Sequence, residues 1–252
     1  EAQAAKKHHI AAKLLIEPDM RVLDIGCGWG GMALTLARDY GARVTGVTLS
    51  KEQHAVATRR AEAAGLADRV EFRLQDYRKV RESFDRVVSV GMFEHVGVPH
   101  YREYFDTVRD RLTEDGVALI HTIGREDPPG ATSPWIDKYI FPGGYIPALS
   151  ETVEPLEKAR LWTTDVEIWR LHYARTLRCW YDRFMANIDR AEALYDARFC
   201  RMWRYYLVAS EQSFRHHRHV VFQLQLARSL EAVPLTRDYI YPAPERARMA
   251  AE

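Results

Sequence analysis

The stretch Val22-Leu23-Asp24-Ile25-Gly26-Cys27-Gly28-Trp29-Gly30-Gly31 places a cluster of glycines directly after a short apolar run and ahead of helix formers, Met32 to Tyr40. The apolar run reads as a buried strand, and a second one, Val44 to Val47, follows the helix closely, so residues 21–46 spell a compact βαβ unit. Glycines at that turn tolerate positive φ and let the backbone approach a ligand at the carboxyl end of the strand, where doubly wound sheets bind nucleotides. The spacing is G-x-G-x-G and departs from the G-x-G-x-x-G that seats a pyrophosphate on a helix N-terminus, which disfavours a dinucleotide. Asp24, just ahead of the loop, can orient it or help to hold an ammonium-bearing ligand.

Outward from this unit, Ala2 to Ile16 is a lead-in helix with Ile10, Leu14 and Leu15 on roughly one side, closed by Pro18. Downstream, a helix from Lys51 to Ala64 ends at Gly65, a left-handed cap position. Val70–Leu74, Val87–Val90 and Val117–Thr122 supply further buried strands. Between Gly124 and Gly144 the prolines and glycines predict a long loop, and its Trp135, Tyr139 and Phe141, with Tyr145 just beyond, suit a substrate cover. Helices are expected over His172–Met185 and Arg198–Arg215, and Val220 to Leu226 alternates as a terminal strand does.

A chain of 252 residues with 47% apolar content can fill one large core, so one domain over residues 1–252 is expected. With 36 basic against 35 acidic residues there is no global field to recruit nucleic acid, and any membrane contact must be local. Cys27, Cys179 and Cys200 lack metal-ligand spacing and are odd in number, so neither a metal site nor a disulfide framework is expected. No apolar run approaches the roughly 20 residues that span a bilayer. The N-terminal Lys6, Lys7, His8 and His9 do not resemble a signal peptide, and a cytoplasmic, unexported protein is expected.

Two further polar groups stand at predicted strand ends. Glu94, in Gly91-Met92-Phe93-Glu94-His95-Val96-Gly97, follows the strand Val87–Val90, and His121 lies in the otherwise apolar Leu119-Ile120-His121-Thr122-Ile123. A lone His in such a strand is more often a satisfied core residue, but two titratable groups at one sheet edge are what an active site requires.

The glycine motif resembles the first signature of class I methyltransferases. The longer V-L-D-I-G-C-G-W-G-G followed by V-T-G-V-T-L-S-K-E-Q is similar to cyclopropane fatty acid synthases and the related mycolic acid methyltransferases. G-x-F-E-H-V-G at 91–97, I-H-T-I-G at 120–124 and H-Y-A-R-T-L at 172–177 carry the likeness through nearly the whole chain. The resemblance implies a Rossmann-like class I methyltransferase fold of the α/β class. Its seven-stranded, mostly parallel sheet would have a late antiparallel strand and helical substrate-covering insertions. It implies S-adenosylmethionine as cofactor, bound by Asp24, Gly26, Cys27, Gly28, Gly30, Thr48, Leu49, Ser50, Gln53, Gln75 and Asp76. Many methyltransferases bind the ribose with an acid, and by resemblance Thr48 and Gln53 take over that contact here, while Asp76 accepts the adenine amino proton. Strand-end packing is the plain alternative for Thr48, and loop capping for Asp76.

The same resemblance implies that Glu94, His121, Tyr173 and the backbone of Ile123 hold a bicarbonate ion acting as base. Methyl transfer to an unactivated alkene leaves a carbocation, and loss of a proton from the added methyl closes a cyclopropane ring. The expected partners are an unsaturated acyl lipid, by resemblance a phospholipid, and a membrane surface touched peripherally, with a homodimer as one option for assembly. Two rival outcomes are a methyl-branching acyl methyltransferase that closes no ring and a small-molecule N-methyltransferase in which Glu94-His95 deprotonates an amine. Family members also carry an upstream segment with a cysteine whose backbone helps to bind the anion, and residues 1–252 do not include it. The basic cluster Arg215 to His219 is read as a solvated helix end, with contact to lipid phosphates as the alternative.

Overall fold

The apolar run ahead of the glycine turn forms strand β1 (Arg21–Ile25), fully buried from Val22 to Ile25, in a computed structural model that describes residues 1–241. Helix α1 (Ala2–Lys13) precedes it, and α2 (Gly31–Tyr40), β2 (Arg43–Thr48), α3 (Lys51–Ala63), β3 (Val70–Leu74) and β4 (Phe84–Val90) follow in alternation. Then come α4 (Tyr101–Arg111), β5 (Leu112–Arg125), α5 (Pro134–Tyr139), α6 (Leu149–Ala159) and β6 (Trp162–Trp169). The helices α7 (His172–Met185), α8 (Ile188–Leu194) and α9 (Ala197–His216) lead into β7 (His219–Ala227).

The seven strands form one sheet in the order β3-β2-β1-β4-β5-β7-β6. All neighbours pair in parallel except β7, which runs antiparallel to both β5 and β6. The order reverses between β1 and β4, and the carboxyl ends of those strands open a crevice there. Each face is sealed by its own apolar cluster: Tyr101, Tyr104 and Phe105 of α4 with Leu156 of α6 on one side, Ile10 and Leu14 of α1 with Leu36 and Ala57 on the other. Phe105 is fully buried, so Phe105→Ala would cost about 3–5 kcal/mol through lost transfer energy and the cavity left behind. A third cluster joins α7 and α9 to β7 through Leu177, Tyr206, Leu207 and Val221, with Ile123 and Tyr173 packed on it.

The structure departs from the sequence reading in three places. The predicted loop at Gly124 begins later, because Gly124 stays in β5 and presents a bare Cα where a Cβ would strike the Phe222 ring; residues 134–139 then form α5. Strand β7 is buried on both faces, so its alternation does not separate core from solvent. Gln223 and Gln225 are as buried as Phe222 and Leu224 because the helix α1 covers their side. Helices α4, α6 and α8 and strand β6 were not anticipated. Gly65 is left-handed, at φ +66°, as the cap position requires.

Helix α1 is locked down by charge as well as by apolar contact. The fully buried Lys13 ammonium lies 3.4 Å from Asp165 and 2.5 Å from Glu167, and His9 Nε2 is 2.7 Å from the same Glu167. Burial disfavours the Glu167 charge, but the hydrogen bonds from His9 and Lys13 outweigh it and hold the carboxyl well below its usual range. Such a pair adds little net stability, and removing Lys13 would leave Asp165 to Arg237 and Glu167 to His9 alone.

Candidate active site

The carboxyl ends of β1, β2 and β4 wall a cleft of about 690 Å³. Gly26, Gly28, Thr48, Leu49, Ser50, Gln53, Gln75 and Asp76, all expected to bind the cofactor, line it together. Gly26 and Gly28 have φ of +76° and +55°, and a Cβ on Gly28 would meet no protein atom within 4 Å, so this backbone faces open cleft. The Thr48 hydroxyl donates to Gln53 Oε1 at 2.9 Å, and the Ser50 hydroxyl caps α3 by accepting from the Gln53 N–H. The pair at the end of β2 is therefore pre-set as a hydrogen-bonding edge.

Asp76 lines the cleft and also serves as the loop cap named as its alternative. Its carboxylate accepts from the Arg78 N–H at 2.9 Å and pairs with the Arg78 guanidinium at 2.6 Å, contacts that hold it below the usual carboxylate range. Asp24, Cys27 and Gly30 are not on the wall. Gly30 starts α2 at φ +80°, where a Cβ would collide with Phe72, and the Cys27 thiol is buried and pushed up in pKa by that burial and by Asp24. Asp24 is fully buried, one of its oxygens has no partner, and desolvation pushes its carboxyl up to about 7. An orphaned carboxylate oxygen under the glycine loop fits an ammonium-bearing ligand, and so fits the methionine end of S-adenosylmethionine.

Tyr77, Arg78, Met92, His100 and Glu103 also line the cleft and were not singled out as site residues, and His95, named only with the amine-methylating rival, lines it too. The signal for Tyr77, Arg78, Met92 and His95 was position alone, on turns just after β3 and β4, whereas His100 and Glu103 come from the entry and first turn of α4.

Glu94 sits between two of these wall residues, Met92 and His95, at the β4 end of the cleft. Its Oε1 accepts from the Ile123 N–H at 2.7 Å, while Oε2 is buried without a partner. Burial raises the Glu94 pKa against the pull of the Ile123 N–H and the Thr122 hydroxyl. This corrects one expectation: the Ile123 N–H is engaged by Glu94 itself and is not free to donate to an anion. Tyr173 packs among Trp180 and Phe214, and burial first, then Tyr206 and Glu94, push its hydroxyl up to about 12. His121 shares a strand face with Ile123, but its Nδ1 is bonded to Gln223 at 3.1 Å and its ring meets Trp169 edge-on. No hydrogen bond joins His121 to Glu94 or Tyr173 among the described residues. Burial, helped by Lys6, Lys13 and His9 on α1, pushes His121 down to about 3, so the ring is neutral at any working pH.

The segment after β5 closes over this end. The Tyr145 N–H donates to the Glu94 carbonyl at 2.8 Å, the Tyr145 hydroxyl donates to Glu151 of α6, and Phe141 stands between His95 and Tyr206. The expected substrate cover is thus tied to the turn that carries Glu94.

A 3-2-1-4-5-7-6 sheet with one antiparallel strand and a glycine-lined cleft at the β1 end is the fold of the class I, S-adenosylmethionine-dependent methyltransferases. Residues 1–224 match the family described as mycolic acid cyclopropane synthetase, and the chain belongs to that family. It is 42% identical over 230 residues to the cyclopropane-fatty-acyl-phospholipid synthase of Escherichia coli (strain K12), covering 91% of this chain and 59% of that protein's length. Over 228 residues it is 35% identical to cyclopropane mycolic acid synthase 3 of Mycobacterium tuberculosis, covering 85% of this chain and 79% of the relative. The crystal structure of mycolic acid cyclopropane synthase CmaA1 complexed with SAH and CTAB superposes with a TM-score of 0.83 at 30% identity, covering 89% of this chain and 84% of that one.

Proposed function

We propose that the protein transfers a one-carbon unit from S-adenosylmethionine to the double bond of an unsaturated fatty acyl chain, in a phospholipid, and closes a cyclopropane ring. The observation that carries the reading is Glu94 Oε2, a buried acceptor without a partner at the end of the cofactor cleft. Its neighbourhood supports the reading: Tyr173 lies among the apolar and aromatic side chains Ile123, Trp180, Tyr206 and Phe214, and Tyr145 of the segment after β5 is bonded to the turn that carries Glu94.

S-adenosylmethionine supplies the electrophilic methyl group. When ionised, Glu94 would place a negative charge where the acyl chain becomes cationic, an attraction much stronger away from water than in bulk, while its burial opposes that ionisation. Bicarbonate would supply a base here: Glu94 Oε2 would accept its hydrogen bond, and the Tyr173 hydroxyl and a His121 Nε2–H would be the side-chain donors to its oxygens. The Ile123 N–H holds the Glu94 carboxylate in place and so acts on the reaction through Glu94. Tyr173, with its pKa up at about 12, stays a donor throughout.

Peripheral docking on a membrane is part of the same proposal. Residues 172–216 hold eight arginines against five Asp and Glu, and Arg198 and Arg201 share a groove with Trp135, Tyr139 and Tyr205. Neither arginine is ion-paired among the described residues. By contrast Arg215 is paired with Glu211 and Arg218 with Asp127, which supports the solvated-end reading of that cluster and favours the start of α9 for the lipid contact.

The test is the product. With S-adenosylmethionine and vesicles of a monounsaturated phospholipid, mass spectrometry should find an acyl chain that gains one CH2 and loses its double bond. A methyl branch, a retained double bond, or activity confined to amines would replace this reading by one of its rivals.

A further inference from the structure

Antiparallel pairing of β5 with β7 sets His121 directly opposite Gln223, and pairing of β7 with β6 sets Gln223 opposite Glu167, so three polar side chains cross the sheet in one row under α1. Gln223 is fully buried. A buried amide is costly unless bonded, and here its side-chain nitrogen lies 3.1 Å from His121 Nδ1 while its Oε1 has no partner. One side-chain bond, to one imidazole nitrogen, is therefore what this Gln makes of an apolar strand position.

We infer that Gln223 is a positioning residue: its side-chain amide donates to Nδ1 of His121 and so fixes the ring as the neutral tautomer whose one N–H is on Nε2. A neutral imidazole has a single donor, and the partner of one nitrogen decides the role of the other. The opposite amide orientation would turn Oε1 to His121 and leave both amide hydrogens unpaired in the core, whereas the observed one leaves an acceptor and a single hydrogen. Protonation of the ring is resisted by its burial and by Lys6, Lys13 and His9 above it, so the tautomer is the only freedom left. Trp169 fixes the ring plane: it meets His121 edge-on at 5.5 Å and is itself held between His9 at 5.6 Å and stacked His172 at 5.1 Å. In the proposed reaction His121 then acts only as a hydrogen-bond donor and never as the base. That last step rests on the functional reading above; the tautomer does not.

The test uses the full chain labelled with nitrogen-15 in histidine, with the His121 signals assigned by their loss in His121→Gln. Wild type should show bare Nδ1 and protonated Nε2. Gln223→Glu sets an acceptor against Nδ1 and should move the proton there; Gln223→Leu should give a mixture. Turnover on lipid vesicles should fall roughly tenfold or more in Gln223→Glu, with KM for S-adenosylmethionine unchanged. A wild-type proton on Nδ1 overturns the inference even if no variant folds, as does a tautomer identical in wild type and Gln223→Glu. A shifted tautomer with unchanged turnover upholds the placement by Gln223 and refutes the use of His121 in the proposed reaction.

Discussion

The two ends of the crevice are built by different means. At the glycine end the wall comes from short continuous stretches, residues 25–28, 47–53 and 75–78, and the polar side chains on it find partners a few residues away, as Thr48 does with Gln53 and Asp76 with Arg78. At the Glu94 end the groups come from the turn after β4, from β5, from α7 and from the segment after β5, and the group that matters most keeps an unpartnered oxygen in a buried place. Local sequence can pre-set a binding surface cheaply. A reacting centre needs unsatisfied polarity away from water, and only tertiary packing can hold it.

If that division is right, the two ends should fail separately under mutation. The largest effect falls on Glu94→Gln, which keeps the size, removes the charge and places an amide against the Ile123 N–H: turnover should drop by about 10²–10⁴ while calorimetry finds cofactor affinity unchanged. Loss of cofactor binding in this variant would merge the two ends.

Asp24 tests the floor of the glycine end. Its carboxyl sits at about 7 in the folded protein against 3.8 ordinarily, so between those values the folded protein holds a proton that the unfolded chain has released. Stability is therefore full below the lower value and lost as pH rises through the upper, by on the order of 2–4 kcal/mol. Denaturant midpoints across that window should decline in wild type and level out in Asp24→Asn.

A smaller effect is expected at Asp76, where Asp76→Ala should weaken S-adenosylmethionine binding about tenfold, the size of one buried hydrogen bond, and leave the bicarbonate response of turnover intact. Smallest is the difference between Gly28→Ala and Gly65→Ala. Both glycines are left-handed, at φ +55° and +66°, and a Cβ at either meets nothing within 4 Å, so each substitution should cost about 1–2 kcal/mol of stability. Only Gly28→Ala should also weaken the cofactor, and equal binding in the two would remove Gly28 from the site.

The same contrast governs what could be read from the sequence. The strand, turn and helix around Gly26 were legible because strand, glycines and helix formers are contiguous, and α7 was bounded at His172 and Met185 by its apolar stripe. Helix α4 has such a stripe, Tyr101, Tyr104, Phe105 and Val108, but its remaining positions are mostly charged, and α6 hides behind Pro155. Strand β6 was missed because Asp165 and Glu167 turn inward to meet Lys13, which inverts the usual in-out pattern of a strand. At the site, the residues lining the glycine end of the cleft are sequence neighbours. The bond of Ile123 to Glu94 and that of Gln223 to His121 depend on turn geometry and strand register, 29 and 102 residues apart in sequence, and no local pattern announces them.

The most direct test of the division is a crystal structure grown with S-adenosylhomocysteine and bicarbonate. The adenine should lie against Asp76 and Tyr77, the ribose at Thr48 and Gln53, and the sulfur toward Met92, with the anion on Glu94 Oε2. A nucleoside bound in another cavity, or one reversed so that its sulfur points to Asp76, would contradict the account.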